Sequence, residues 1–422
     1  MSPGSLTDMS TTRRIGLSLG ADICWPAFYE DIIARIGPVT VGGEEIRFEV
    51  ERVTIEPFDL RQPTRYDLVI DRLTPWYHTS REWLKKAILM DDVYVLNSPF
   101  TLQSMQKHTS YAAMLRLGLP IPKTMLLPPR EYEPSPDLEF TLDRYAQMFD
   151  LAELGERIGY PAYLKPYDGG AWEGVSRVED AGDLMEAYNS SGSRIMHLQA
   201  AVDPHDLFVR ALGVGPQVNI MKYDPGAPLH DRYKVEFDFV DSEETQLLTD
   251  MVMTINSFFG WDFNSCEALR QDGEFYPIDF ANANPDSQVT SLHYHLPWLA
   301  KALLRWSLFC AATNKQMDFD LRWKEYLTIA DSDRTYREKL GAYASLARQR
   351  FETERFEEFC DTQLANLDEI TLEYMSSDRA RDAVTAKVAA MFPAHEVDGF
   401  TDHFWGLLQF WVHTESDRLS RV

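Results

Sequence analysis

Apolar and polar positions along the first hundred residues fall into short runs. "RRIGLSLG" (13–20), "RFEVERVTIE" (47–56) and "RYDLVIDRL" (65–73) read as strands, and "VYVLNSPF" (93–100) is a fourth, ending in a turn at Pro99. "WPAFYEDIIARIG" and "SREWLKKAILMD" read as helices between and after them. Strands alternating with helices of this length predict a parallel α/β sheet over residues 13–100, preceded by a disordered tail at 1–12. The next run, "TLQSMQKHTSYAAMLRLGL", reads as a helix with Met105, Ala112, Leu115 and Leu117 among its apolar positions. Thr101 is its expected N-cap and Gly118 its expected stop, with Pro120 beyond.

"LLPPREYEPSPDLEF" (126–140) is rich in proline and acid and reads as a surface connection. From about Leu151 to Thr313 strands return, including two runs joined by the hairpin signal "RQDGE". Residues 314–422 are strand-poor and predict helices. Within them "FTDHFWGLLQFWVH" (400–413) is apolar nearly all round, which predicts burial against the body or in a homodimer.

Composition narrows the partners. The chain is 45% hydrophobic and 25% charged, ordinary for a globular protein, with 66 acidic against 41 basic residues and a formal net charge of −25. Such a surface repels nucleic acid and anionic membranes, although a local basic pocket for a phosphate ligand remains compatible with it. Cys24, Cys266, Cys310 and Cys360 are far apart and have no zinc spacing, so they read as reduced thiols of a cytoplasmic protein. The stretch "MSPGSLTDMSTTRR" has no apolar run and no stretch approaches 18 uninterrupted apolar residues, so neither a leader nor a transmembrane helix is expected.

Candidate chemistry is concentrated in the middle of the chain. In "YLKPYDGGAWEGVS" (163–176), Lys165 ends a strand-like run, Pro166 breaks it, and Gly169, Gly170 and Gly174 give backbone freedom. A fixed cation beside exposed N–H groups can hold a polyphosphate, and a turn with a surface lysine would look the same. In "FNSCEALRQDGEFYPIDFANANPD" (263–286), Glu267 and Asp279 lie on facing runs with Asn282 just past the second, all hard oxygen ligands suited to Mg²⁺. "MHLQAAVDPHDLFVRALGVG" (196–215) is a strand, a linker and a strand. The linker backbone can meet an adenine edge and Asp206 can take ribose hydroxyls. Arg210, Lys222, Arg232 and Lys234 add cations, the last three flanking the loop "KYDPGAPLHDRYK".

Taken in order, these motifs resemble the ATP-grasp superfamily over roughly residues 90–315. The resemblance implies an ATP-grasp domain at 101–313, after an N-terminal parallel α/β domain at 13–100 and before a C-terminal helical extension at 314–422. Lys107 in "SMQKHTSY" matches the first nucleotide lysine, Lys165 the second, and Gln199 with the backbone of Ala201 and Val202 the adenine hinge. Glu267, Asp279 and Asn282 match the magnesium ligands, with Asn284 competing for the third place because the spacing after Asp279 is unusual. The hinge also departs from the family, with Ala200 where a glutamate is common.

The resemblance implies ATP and Mg²⁺ as cofactors and carboxylate–amine ligation as the activity. A small-molecule carboxylate would attack the γ-phosphorus of ATP, and an amine of an amino acid or peptide would displace phosphate from the acyl phosphate. Arg210 or Arg232 is the candidate for the acyl phosphate and oxyanion. Arg72 is a candidate for a substrate carboxylate, equally readable as a solvated strand-end arginine, and the "HYH" at His293–His295 is the nearest candidate for a base, better read as two histidines at a helix start. A kinase on the same fold, and a nucleotide-binding protein without turnover, are the alternatives.

Overall fold

The computed structural model describes residues 10–54, 56–101, 106–145, 148–168 and 172–421. It is a mixed α/β molecule with a largely parallel N-terminal sheet, two antiparallel sheets and a set of C-terminal helices.

The first sheet contains β1 (Thr11–Ser18), β2 (Val39–Val41), β3 (Glu44–Arg52), β4 (Leu68–Asp71) and β5 (Tyr94–Leu96), in the order β2-β3-β1-β4-β5. β1 runs parallel to β3 and β4, and β4 parallel to β5, while β2 turns back antiparallel on β3. β2 escapes the sequence pattern because it is only three residues long and ends at the Gly42–Gly43 turn. Helix α1 (Cys24–Ile36) buries Trp25, Phe28, Tyr29, Ile32, Ile33 and Ile36, a single stripe at helical spacing. Helix α2 (His78–Asp91) closes on Asp92 in the left-handed conformation. Just past β5, Asn97 turns its amide onto Asp262, Phe263 and Ala283. Its Nδ2 donates to the carbonyls of Phe263 and Ala283, and its Oδ1 accepts from the N–H groups of Asp262 and Phe263.

Helix α3 (Lys107–Leu117) starts later than its pattern predicts. Thr101 is not its N-cap: the Thr101 hydroxyl donates to the Ser98 carbonyl in a tight turn, and Gln106 precedes the helix. Residues 102–105, including Met105, lie outside the described residues. Gly118 does end the helix, at φ +84° with its N–H on the Met114 and Leu115 carbonyls.

The small antiparallel sheet has the order β6-β9-β7-β8 and contains β6 (Thr124–Leu127), β7 (Ala162–Pro166), β8 (Ser176–Val178) and β9 (Met196–Ala200). Helices α5 (Leu151–Ile158) and α6 (Ala181–Asn189) pack on it through Leu151, Ile158 and Leu184, each capped by an aspartate, Asp150 and Asp180. The short α4 (Leu138–Tyr145) precedes them.

The larger sheet has the order β11-β10-β12-β13 and contains β10 (Leu207–Val214), β11 (Gln217–Lys222), β12 (Phe263–Gln271) and β13 (Glu274–Asn282). The predicted hairpin is present, with Asp272 and Gly273 both at positive φ, the geometry a two-residue turn requires. Helix α7 (Ser242–Phe259) covers this sheet and starts from a capping box of Asp241 and Glu244.

After the short α8 (Val289–Leu292) and a 3₁₀ turn at His293–His295, the nearly wholly buried α9 (Leu296–Ala312) joins the N-terminal sheet, the large lobe and the C-terminal helices into one apolar core. Residues beyond 313 are helical, as the pattern predicts: α10 (Trp323–Ala330), α11 (Tyr336–Arg350), α12 (Thr353–Gln363), α13 (Leu367–Met375), α14 (Asp378–Met391) and α15 (Val397–Leu419). Helix α15 is not buried all round. It buries Thr401, Phe404, Leu408 and Trp411, one stripe, while Phe410 stays 44% exposed. Among the described residues, no helix is long and apolar enough to cross a membrane.

Candidate functional site

The large sheet lines up three charged side chains in one row. Arg210 on β10 is the direct partner of Glu267 on β12, and Glu267 that of Asp279 on β13. Paired residues of an antiparallel ladder share a face, so all three project to the same side. Register shifts on both sides of Glu267 bulge the hairpin and bring Asn282 opposite Ser265, next to the two acids.

Each charge has a partner. Arg210 Nε lies 3.5 Å from Glu267 Oε1, and its guanidinium stands over the rings of Tyr223 and Tyr233, 5.4 and 5.6 Å from their centres. Lys107, at the first position of α3, donates from Nζ to Asp279 Oδ2 at 2.7 Å. Its backbone N–H donates to the Tyr167 carbonyl, which ties α3 to the end of β7.

Lys165 arrives from the small sheet, where it pairs with His197 of β9. Its Nζ donates to Gln199 Oε1 at 2.8 Å and to the Ile278 carbonyl at 3.1 Å, and it lies 5.2 Å from the centre of the Tyr111 ring. Gln199 is fixed from its other end by donating to Thr124 Oγ1, and the Tyr111 hydroxyl donates to the same Ile278 carbonyl. Both lysines are more than nine-tenths buried.

Burial and mutual charge set the protonation of this cluster. Burial pulls Lys165 down from 10.5 to about 8; Asp279 and Glu267 resist the fall and Lys107 adds to it. Burial likewise raises Glu267, which Arg210 opposes and Asp279 reinforces. Burial also pushes Asp279 upward, yet Lys107 and Lys165 outweigh it and hold that carboxyl below the usual range. Beneath the lysines, burial and the charge of Lys165 depress His197 to about 3, so its imidazole is neutral.

The donor set Glu267, Asp279 and Asn282 supplies two carboxylates and an amide oxygen, which fits a hard divalent cation such as Mg²⁺. Asn282 uses its amide nitrogen toward Asp279 Oδ1 and the Ser265 carbonyl, leaving its carbonyl oxygen for a metal. Among the described residues, no three His, Cys, Asp or Glu side chains gather as a metal centre, so any such site depends on the amide. Asn284 instead donates to the Arg72 carbonyl at the domain junction.

The remaining candidates lie apart from this cluster or are engaged elsewhere. Lys222 pairs with Glu236 at 2.7 Å, Lys234 with Asp224 at 3.4 Å, and the exposed Asp206 with Arg270 at 2.8 Å. Arg232 donates to the Ala227 carbonyl within its own loop. The Ala201 N–H donates to the Pro161 carbonyl, and Val202 is buried just beyond. Gly169 and Gly170 lie outside the described residues.

Arg72 does not reach outward. It is buried, 3.4 Å from Asp22, and donates to the Pro285 carbonyl and Ser287 Oγ, so it fastens the N-terminal sheet to the segment after β13. His293 and His295 are set in the turn that starts α9. Sequence reasoning missed Tyr111, Tyr223, Tyr233 and His197. Only His197 left a signal, two residues before Gln199 and therefore on the same strand face.

No protein-family model matches the chain, and no curated protein matches it by sequence. Among solved structures it is similar to a RimK domain ATP-grasp protein from Sphaerobacter thermophilus, at 15% identity and a TM-score of 0.48, covering 69% of this chain and 98% of that one. It is also similar to D-alanine–D-alanine ligase from Bacillus anthracis complexed with ATP, at 14% identity and 0.46, covering 81% and 99%. A third is VanG D-Ala:D-Ser ligase from Enterococcus faecalis, at 11% identity and 0.44, covering 80% and 100%. Overlaps this distant carry no chemistry with them, and what the site can do rests on its side chains.

Proposed function

We propose that this protein is an ATP-dependent carboxylate–amine ligase of ATP-grasp type, working through an acyl phosphate and releasing ADP and phosphate. One observation supports it above the others: two buried lysines from different elements meet a row of Arg210, Glu267 and Asp279. A protein of net charge −25 that gathers three cations around two carboxylates has built a local site for anions and metal.

In this reading the nucleotide lies between the small sheet and the large one. Lys165 and Lys107 exchange Gln199, Ile278 and Asp279 for phosphate oxygens. The segment at Gln199, Ala201 and Val202 faces the base, and Asp206 is assigned the ribose. Magnesium, when held by Glu267, Asp279 and Asn282, would shield the phosphates and draw charge from the γ-phosphoryl group.

The protein's task is to bring an anionic carboxylate in line with an anionic phosphate, which is a matter of positioning and fixed charge. Arg210 is the fixed charge on the acceptor side, since Glu267 and two tyrosine rings hold its guanidinium in place. Arg232, on the loop above it, is the second candidate. Lys222 serves as an outer cation of the nucleotide side. The carboxylate attacks the γ-phosphorus, the β–γ bridging oxygen leaves with ADP, and an amine then displaces phosphate from the acyl carbon.

The test is incubation with Mg-ATP, pooled amino acids and short peptides, and hydroxylamine. ADP with hydroxamate, lost in Lys165→Ala and Asp279→Ala, is the expected result. ADP with a stable phosphorylated product and no hydroxamate would favour a kinase. Nucleotide binding without turnover would favour a binding protein.

A further inference from the structure

The loop from Tyr223 to Tyr233 is gripped at both ends. At its base Tyr223 and Tyr233 pair in a β-bridge, their rings 5.1 Å apart and edge to face, and between them they hold Arg210. At its tip the short Leu229–Asp231 turn carries His230 onto α15, with the imidazole 5.3 Å from Phe400, 6.0 Å from His403 and 6.5 Å from Phe404. Just past the base, the Lys234 carbonyl lies 3.1 Å from His295 Nε2, and His293 lies against the backbone of Tyr233. Three stretches of chain therefore place four histidines around one loop.

We propose that the C-terminal helices form part of the site: this histidine cluster latches the Tyr223–Tyr233 loop and so positions Arg210, and acidification releases it. The role given to Arg210 rests on the ligase reading; the latch itself does not. His293 and His295 are positioning residues, acting through the loop backbone.

The charged groups that face the cluster are few. Asp231, on the loop, lies 3.7 Å from His230 Nε2 and 3.9 Å from His403 Nε2. Lys234 is turned to Asp224, and Arg232 to the Ala227 carbonyl. From the other elements come His293 and His295 of the 3₁₀ turn, with rings 6.2 Å apart, and His403 of α15.

In the proposed latch the docked loop and α15 together keep His293 and His295 out of water. Burial holds His293 down at about 3, with His295, His403 and His230 adding to the effect, and holds His295 at about 4. Both are neutral while the loop is docked and recover an ordinary value near 6.5 once it leaves. The undocked form then binds more protons, so docking is fully present above about pH 6.5 and weakens as pH falls toward the docked values. Between pH 7.5 and 5.5 the undocking equilibrium should rise roughly tenfold for each histidine and on the order of a hundredfold for both.

Hydrogen exchange of the full chain tests this without turnover, so its outcome is separate from that of the hydroxylamine assay. Exchange in peptides spanning 224–233, corrected for the intrinsic rate, should accelerate between ten- and a hundredfold from pH 7.5 to 5.5 while peptides of α7 hold steady. His295→Asn should exchange faster at pH 7.5 and lose about a tenfold share of the pH response. His403→Gln alters only a half-exposed side chain, and should loosen the tip at pH 7.5 with the fold intact. A loop that exchanges equally at both pH values, or only in step with α7, overturns the proposal. So does a His403→Gln loop as protected as the wild type's.

Discussion

Replacing Lys165 by methionine should separate nucleotide affinity from stability. In the ligand-free protein the Lys165 ammonium is buried and its pKa falls from 10.5 to about 8. A fall of that size means a cost of about 3 kcal/mol for keeping the charge at neutral pH. Methionine fills similar volume without the charge but leaves Gln199 Oε1 without its lysine donor and takes one of two donors from the Ile278 carbonyl, which keeps the Tyr111 hydroxyl; the two losses together cost roughly 2 kcal/mol at most. The ligand-free variant should therefore be more stable than wild type by about 1 kcal/mol. Nucleotide binding should suffer, because a charge-assisted bond to phosphate is worth about 1.5–3 kcal/mol, or roughly 10- to 150-fold in Kd.

The pH dependence carries a sign. Above about pH 8 the free protein must take up a proton on Lys165 to bind phosphate, so the wild-type Kd should be flat below pH 7.5 and rise up to about tenfold per unit above 8. Calorimetric titration of Mg-ATP from pH 6.5 to 9.5, with thermal unfolding of the ligand-free proteins, measures both effects. A wild-type Kd unchanged through pH 9.5, or a Lys165→Met protein that binds as tightly as wild type, would refute the reasoning.

Three further substitutions test the frame around the site. Glu267→Gln leaves the buried Arg210 without its carboxylate and should cost roughly 3 kcal/mol in denaturant unfolding. Asn97→Ala deletes four hydrogen bonds between the N-terminal sheet and the large lobe and should cost about 2–4 kcal/mol, read as a lower melting temperature. Gly215→Ala forces a Cβ at φ +55° within 2.4 Å of the buried Trp306 ring and should lower soluble expression and melting temperature, costing roughly 2 kcal/mol or more.

How much of this was legible in the sequence follows from how local each signal is. Strands and helices of the N-terminal sheet, the "RQDGE" hairpin and the C-terminal helices come from periodicity and turn chemistry, which neighbouring residues decide. Facing carboxylates Glu267 and Asp279 could be placed because a hairpin sets its own register, although the bulge that brings Asn282 beside them could not. The Thr101 cap failed because a serine carbonyl three residues back took the hydroxyl, a competition invisible to a capping pattern. Arg72 looked like a strand-end arginine open to substrate; its burial depends on Asp22 and on a segment more than two hundred residues away. The tyrosines around Arg210 and the histidines around their loop depend on the same kind of distant packing, and no spacing encodes it.

The central claim is that a carboxylate oxygen attacks the γ-phosphorus of ATP held between Lys165 and the Glu267–Asp279 pair. The most direct measurement supplies Mg-ATP with a pool of amino acids and peptides whose carboxylates carry ¹⁸O, and weighs the released phosphate. Acyl-phosphate chemistry predicts one ¹⁸O atom in each phosphate that accompanies ADP. ADP formed in response to the pool, with phosphate that carries none, would contradict the account.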